Sequence, residues 1–147
     1  MTFGRPRRVL LIEQDAFIVL FLEDALARMG CDMVPVFSEL AAVTAMSERA
    51  FDQVVIAVHP SAVGEAADLL RRLSAFSPDP LPVVVTAGFT PTAAERRQLE
   101  EACSGTVSLV AKPFCEDELA QALMTKPLVP PPPSDLFSGG KDVRQRR

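Results

Sequence analysis

The sequence predicts a doubly wound α/β fold, in which a five-stranded parallel sheet carries helices on both faces. Short aliphatic runs alternate with longer amphipathic stretches along most of the chain. Runs such as residues 9–12 are apolar at every position, which is typical of strands buried on both faces. With 147 residues, 48% of them hydrophobic, the chain can build one domain with a sizeable core. Strands and helices that alternate in this way form parallel sheets with right-handed crossovers.

Five short and mainly apolar runs are expected to form the strands. They span residues 9–12, 33–36, 53–58, 83–86 and 107–111. In parallel sheets, functional groups gather where the strands end. For this chain those ends are residues 13–15, 57–59, 86–88 and 112–113.

Five helices are expected to follow the strands, and capping residues mark several of their ends. Asp15 caps a helix that runs to about Met29 and stops at Gly30, while Ser38 caps a second helix that runs to about Arg49. The third helix is expected over residues 62–76 and the fifth over residues 115–125. The fourth is expected to begin after a Thr90 cap, with Pro91 at its first helical position, and to end at about Cys103.

The composition changes after Lys126, which predicts a domain over residues 1–126 and a tail over residues 127–147. The run from 127 to 133 contains five prolines and predicts an extended polyproline II segment, and the remainder is polar and basic. Pro130 and Pro133 satisfy the P-x-x-P pattern that docks on aromatic grooves. A spacer or a disordered end is the commoner role of such a segment.

Charge and cysteine content narrow the functional classes. The net charge is −4, with basic residues near both ends and the acidic residues between them, the reverse of a nucleic-acid-binding body. Cys31, Cys103 and Cys115 are scattered and His59 is the only histidine, so no zinc site is expected. No apolar run reaches the roughly 18 residues of a membrane span, and no signal segment is expected. We therefore expect a cytoplasmic protein whose partners include neither membranes nor nucleic acids.

Four segments resemble the bacterial response-regulator receiver family, and the resemblance extends over about residues 7–124. They are V-L-L-I-E-Q-D at 9–15, F-D-Q-V-V-I-A at 51–57, V-V-V-T-A at 83–87 and L-V-A-K-P-F at 109–114. The lysine–proline pair after the fifth strand is the most specific of these features. The resemblance implies a flavodoxin-like (βα)5 sheet with strand order 2-1-3-4-5.

The resemblance also implies a phosphorylation chemistry at the strand ends. In the family, an acidic pair after the first strand and an aspartate ending the third strand hold Mg²⁺, because a hard ion prefers oxygen ligands. The third-strand aspartate is the nucleophile that becomes an acyl phosphate. A hydroxyl of the fourth strand and a lysine of the fifth bind the phosphoryl oxygens, and Thr86 and Lys112 match these two positions.

The sequence departs from the family at the positions on which this chemistry depends. Ala57 stands where the family has its phosphoacceptor, and Gln14 stands where it has the principal metal carboxylate. A methyl group is neither a nucleophile nor a ligand. Leu109 replaces an aromatic residue that usually rotates on activation. We therefore expect a degenerate phosphorylation pocket with no catalytic and no metal-binding residues, composed of Glu13, Gln14, Asp15, Ala57, Thr86 and Lys112.

Other groups near this pocket leave alternatives open. Asp52 lies roughly 16 Å from the acceptor position, at about 3.3 Å per residue, and points to the opposite face of the sheet. No cofactor is expected, although Glu13 and Asp15 leave weak Mg²⁺ binding open. Lys112 is expected to pair with Glu13 or Asp15, with anion binding as the alternative. His59 is expected to be an ordinary loop histidine, with phosphoryl acceptor or pH sensor as the alternative.

The first helix carries more hydrocarbon than core packing requires. Its core-facing stripe consists of Ile18, Leu22, Ala25, Leu26 and Met29. Three large apolar side chains fall on the far side and predict a partner or self-association surface: Phe17, Leu20 and Phe21. The alternative is that the tail or a neighbouring loop covers them.

Together these features predict a stand-alone pseudo-receiver of bacterial two-component signalling that acts as an interaction or adaptor module without phosphorylation or enzymatic activity. The resemblance implies a histidine kinase or phosphotransfer protein as the partner, and a homodimer through the first helix is the other partner considered. The alternative function is a response regulator that accepts a phosphoryl group at an unconventional residue. A flavodoxin-like cofactor binder or enzyme is disfavoured, because no glycine-rich phosphate loop follows the first strand.

Overall fold

The computed structural model describes residues 6–124. Within that range, strands and helices alternate in the order β1 Arg7–Ile12, α1 Ala16–Arg28, β2 Cys31–Val36, α2 Glu39–Glu48, β3 Gln53–Val58, α3 Val63–Ala75, β4 Val83–Ala87, α4 Ala93–Ala102, β5 Val107–Ala111 and α5 Glu116–Met124. A 3₁₀ turn at Pro60–Ala62 precedes α3. The predicted tail and the predicted last residue of the fifth helix, Thr125, lie outside the described residues.

The five strands form one parallel sheet in the order β2-β1-β3-β4-β5, which confirms the predicted fold. In register, Ile12 of β1 lies beside Ile56 of β3, and Ala57 lies beside Thr86 of β4. The carboxyl ends of β1, β3, β4 and β5 therefore meet at one edge of the sheet. No helix within residues 6–124 is long and apolar enough to cross a membrane.

Two hydrophobic cores lie on opposite faces of the sheet, because successive side chains of a strand point to opposite sides. Leu10 and Ile56 face the core covered by α2, α3 and α4, while Leu11 and Val55 face the core covered by α1 and α5. All four are at most 3% exposed. Burial of such a side chain stabilises the fold by about 1.5–3 kcal/mol. The central strands are therefore rigid supports for the groups at their ends.

The helix ends follow the predicted caps in two of three cases. The Asp15 carboxylate accepts hydrogen bonds from the amides of Phe17 and Ile18 at the start of α1, and Gly30 follows that helix with a φ of +78°. This left-handed conformation favours glycine. At the start of α2, the Ser38 hydroxyl accepts from the amide of Ala41 at 3.1 Å.

The predicted start of the fourth helix is wrong by two residues. Thr92, not Thr90, caps α4: its hydroxyl accepts from the Glu95 amide at 3.1 Å, while the Glu95 carboxylate accepts from the Thr92 amide at 2.9 Å. This reciprocal capping box satisfies two backbone donors at once. A start at Thr90 offers no such reciprocal pair, because Ala93 would take the third helical position and has no side-chain acceptor.

Candidate functional site

A cleft of about 530 Å³ lies over the carboxyl ends of β1 and β3. Its floor is apolar and contains Ile56 and Ala57, and its walls come from the loop after β1, the start of α2, the turn after β3 and the start of α3. Charged and polar residues at the cleft are Glu13, Gln14, Ser38, Glu39, His59, Glu65 and Lys112. Four of the six predicted pocket residues line this cleft, namely Glu13, Gln14, Ala57 and Lys112. Thr86 lies directly beside Ala57, and Asp15 caps the start of α1.

Glu13 is held inside the protein, with 5% of its surface exposed. Its Oε1 accepts a hydrogen bond from Lys112 Nζ at 3.1 Å, and its Oε2 accepts from the backbone amide of Asp15 at 3.0 Å. Of the two partners that the sequence allows for Lys112, the structure has Glu13. Both oxygens of this carboxylate are therefore already engaged by the chain itself.

The residues at the metal position fit Mg²⁺ poorly. The carboxylate of Asp15 caps α1 and is bonded to the amides of Phe17 and Ile18, which turns it towards the helix. Gln14 supplies a neutral amide where a charged oxygen is needed. Residues 6–124 contain no group of three or more acidic, histidine or cysteine residues arranged to hold a metal ion.

Ala57 lies in the cleft, and Thr86 lies beside it on the neighbouring strand. Ala57 lies in the cleft floor, so its methyl group faces the space that a longer side chain would fill. Thr86 is 1% exposed, and burial shields its hydroxyl from solvent. Leu109 is half-buried and packs against the core beneath α3 and α4. Of these three side chains, only Ala57 lines the cleft.

His59 has a local structural role in the turn after β3. Its Nδ1 accepts a hydrogen bond from the Ser61 amide at 3.2 Å and lies 2.8 Å from the Ser61 hydroxyl. It thereby caps the 3₁₀ turn that leads into α3. In the neutral imidazole, this acceptor role leaves the proton on Nε2.

Asp52 lies at the other end of β3, as the sequence predicts. Its Oδ2 accepts from the backbone amide of Arg8 at 2.7 Å, which ties the start of β1 to the residue before β3. The carboxylate therefore belongs to the opposite edge of the sheet from Ala57. It therefore cannot act at the cleft.

The predicted apolar surface of α1 is exposed in the structure. Phe17 is 83% exposed, Leu20 61% and Phe21 40%. The core-facing stripe is also recovered, with Val19 as an additional buried residue and with Ile18 and Met29 only half-buried. We call Phe17, Leu20 and Phe21 the α1 surface.

Sequence reasoning missed that the α1 surface continues into a groove formed with the loop after β5. The groove has a volume of about 380 Å³ and is lined by Phe17, Ile18, Phe21, Lys112, Pro113 and Phe114. The rings of Phe21 and Phe114 lie 6.1 Å apart at 52°, a tilted arrangement favourable for aromatic pairs. The K-P-F segment directly after a strand is the signal that could have located it. We call this feature the aromatic groove.

Below the aromatic groove, charged side chains connect α1 to α5. Arg28 of α1 donates hydrogen bonds to Glu116 of α5 and to Asp24 of its own helix. The bonds to Glu116 and Asp24 raise the pKa of the Arg28 guanidinium above its ordinary value. These side chains are largely exposed, so the contacts orient the two helices and contribute little to stability.

Comparisons with solved structures show which fold this is. The chain superimposes on a response regulator from Thermotoga maritima with a TM-score of 0.69 and 22% identity, covering 80% of this chain and 94% of that one. A CheY-like receiver domain from Methylobacillus flagellatus gives a TM-score of 0.66 and 22% identity, covering 82% and 98%. The chain therefore has the fold of response-regulator receiver domains.

Another solved structure with this fold contains a metal ion. The receiver domain of a sensor histidine kinase from Pseudomonas aeruginosa, with a magnesium ion coordinated in its active-site cleft, gives a TM-score of 0.62 and 19% identity, covering 80% of this chain and 94% of that one. No protein-family model and no curated protein sequence matches the chain.

Proposed function

We propose that this chain is a pseudo-receiver of bacterial two-component signalling, a module that binds signalling proteins without being phosphorylated and without enzymatic activity. The observation that carries the proposal is Ala57, at the end of β3 and in the floor of the cleft. Phosphorylation at this position needs a carboxylate nucleophile, and a methyl group provides no oxygen to attack phosphorus.

The ion pair at the cleft supports the same proposal. Lys112 is bonded to Glu13, and Glu13 is also bonded to the Asp15 amide. A lysine that must bind an incoming phosphoryl group would first have to leave this nearly buried carboxylate, which is costly in a low-dielectric site. The cleft is therefore suited to one fixed arrangement rather than to a switch.

The α1 surface supports an interaction role. Large apolar side chains at neighbouring exposed positions are more than a monomer needs for folding, and such patches often mark protein interfaces. The receiver resemblance suggests the helical bundle of a histidine kinase or phosphotransfer protein as the partner. A second copy of this chain, packed through α1, is the other occupant that the surface could accept.

Intact-mass measurement after incubation with acetyl phosphate and Mg²⁺ tests the absence of phosphorylation. We expect an unchanged mass for this chain, while a receiver domain with an intact aspartate, treated in parallel, gains one phosphoryl group. A gain of one phosphoryl group on this chain contradicts the proposal and favours the response regulator with an unconventional acceptor.

A His59→Gln variant identifies the acceptor if that gain occurs. Loss of the added mass in the variant assigns the phosphoryl group to the imidazole, whose Nε2 is not used in the turn. Retention of the added mass assigns it to another side chain. The substitution removes a capping contact of one short turn, so the fold is expected to persist.

A further inference from the structure

The aromatic groove has the chemistry of a site for a proline-rich segment. Three phenylalanines and Pro113 provide flat apolar walls on a concave surface. Such grooves bind polyproline II segments, because these segments are already extended and lose little conformational entropy on docking. The same chain carries a proline-rich segment at residues 127–133.

We propose that residues 127–133 of this chain dock in its own aromatic groove and cover part of the α1 surface in the free protein. This inference deepens the proposed function, because a signalling partner that binds α1 must then displace the segment. The docking itself concerns the isolated chain and is measured without any partner.

The length of chain after α5 is sufficient for this contact. Arg7 at the start of β1 donates a hydrogen bond to the Leu123 carbonyl at 2.7 Å, so α5 ends at the edge of the sheet opposite the groove. The nine residues of α5 span about 14 Å at about 1.5 Å per residue, and the groove lies beyond its first turn. A return path on the order of 20 Å needs about seven extended residues at about 3.1 Å each. Counted from Met124, that distance brings Pro130–Pro133 to the groove.

Charge complementarity favours the same path. The segment after residue 134 carries Lys141, Arg144, Arg146 and Arg147 against Asp135 and Asp142, so its net charge is +2. The first turn of α5 follows the groove residue Phe114 closely in the chain and is acidic, with Asp117 and Glu118 exposed. A proline-rich segment in the groove would hold the basic residues that follow it near these carboxylates. Salt weakens such an attraction between exposed charges.

NMR spectroscopy of the full chain tests the docking. A tail variant replaces Leu128, Val129, Pro130 and Pro133 with serine, and Lys141→Ser serves as a control in the same tail. We expect the signals of Phe17, Phe21 and Phe114 to shift in the tail variant, with binding of a fluorescent apolar dye rising several-fold. Spectra in which these signals coincide with those of the wild-type chain overturn the proposal.

A reciprocal substitution tests the contact from the groove side. Phe17→Ser removes a wall of the groove whose side chain is 83% exposed, while Leu40→Ser removes an equally exposed side chain from α2, on the other face of the sheet. We expect the methyl signals of Leu128 and Val129 to move only in the Phe17 variant. Unmoved methyl signals in that variant contradict the proposal.

A dilution series separates docking within one chain from docking between chains. Intramolecular docking predicts shifts that do not depend on concentration and a monomeric mass in light scattering. Shifts that fade on dilution assign the groove to the tail of a second copy and overturn the intramolecular contact. A failed docking experiment leaves the partner-binding proposal intact, because the α1 surface would then be uncovered and available.

Discussion

The centre of the cleft depends on a few side chains whose environments decide their chemistry. Glu13 is nearly buried and has two hydrogen-bond partners, and Lys112 is the only positively charged one. The pair is stable because each charge compensates the other in a place where an isolated charge is expensive. At this scale, the site is a structural link between the loops after β1 and β5.

Removal of the lysine charge alone should destabilise the fold. In Lys112→Met, the Glu13 carboxylate stays buried without its counter-charge, and we expect the free energy of unfolding to fall by about 1–3 kcal/mol. Urea denaturation measures the loss. The double variant Glu13→Gln with Lys112→Met is the control, and it should recover most of the stability because neither charge remains. A single variant as stable as the wild type would show that the pair contributes nothing.

The cysteines should differ in reactivity because burial differs among them. Burial raises the pKa of Cys103 to about 11, whereas Cys115 is exposed. At pH 8 a rise from 9 to 11 leaves about 100-fold less thiolate, the form that reacts. We expect iodoacetamide to modify Cys115 first, and the rate at Cys103 to keep increasing up to about pH 11. Peptide mass spectrometry at several pH values measures both rates; equal rates at pH 8 would contradict the assignment.

At the scale of single elements, the helix ends show how local chemistry fixes boundaries. Asp15 and Ser38 cap helices where the sequence predicts them, because each has a backbone amide within reach of its side chain. At α4 the competing candidates Thr90 and Thr92 lie two residues apart, and only Thr92 has a glutamate at the third helical position. The reciprocal pair of bonds decides the start of this helix.

The two threonines of this loop form a matched pair for mutation. Thr92→Ala removes the cap of α4, and we expect it to lower the free energy of unfolding by about 1 kcal/mol. Thr90→Ala removes a hydroxyl that caps no helix and should change stability by less than about 0.5 kcal/mol. Thermal unfolding of both variants measures the difference. Equal losses would place the helix start where the sequence predicted it.

At the scale of the whole molecule, two concave features lie next to each other at the carboxyl edge of the sheet. The cleft lies over β1 and β3, while the aromatic groove lies between α1 and the loop after β5. Lys112 borders both the cleft and the groove. The loop after β5 therefore connects the two sites physically, since one end of it holds Glu13 and the other presents Phe114.

A charge placed on the α1 surface should abolish association. Leu20→Glu puts a carboxylate at a side chain that is 61% exposed, so the fold is expected to persist while apolar contact with a partner or second copy is lost. Leu40→Glu, on the opposite face of the sheet, is the control. Light scattering and pull-down with histidine kinases and phosphotransfer proteins give the readout. Wild-type mass and wild-type pull-down for Leu20→Glu would exclude this surface.

The fold was predictable from the sequence to a greater extent than the site. The bounds of β3 and β5 agree with prediction, because aliphatic runs flanked by turn residues define buried strands locally. The ion pair joins residues 99 positions apart, so the sequence could only leave Glu13 and Asp15 as alternatives. The K-P-F segment marks the loop that lines the aromatic groove, but the contact of this loop with α1 is long-range and no local pattern reports it.

The arrangement around Ala57 also constrains how this chain can evolve. A single substitution to aspartate at position 57 or 14 would add a carboxylate near Glu13 while another ligand was still missing. Like charges in a nearly buried site repel, and both carboxylates would compete for Lys112. The singly substituted chain would be less stable than the present chain and would have either the nucleophile or the additional metal ligand, but not both. Aspartates at positions 14 and 57 would therefore have to appear together, which makes the present arrangement hard to leave by single substitutions.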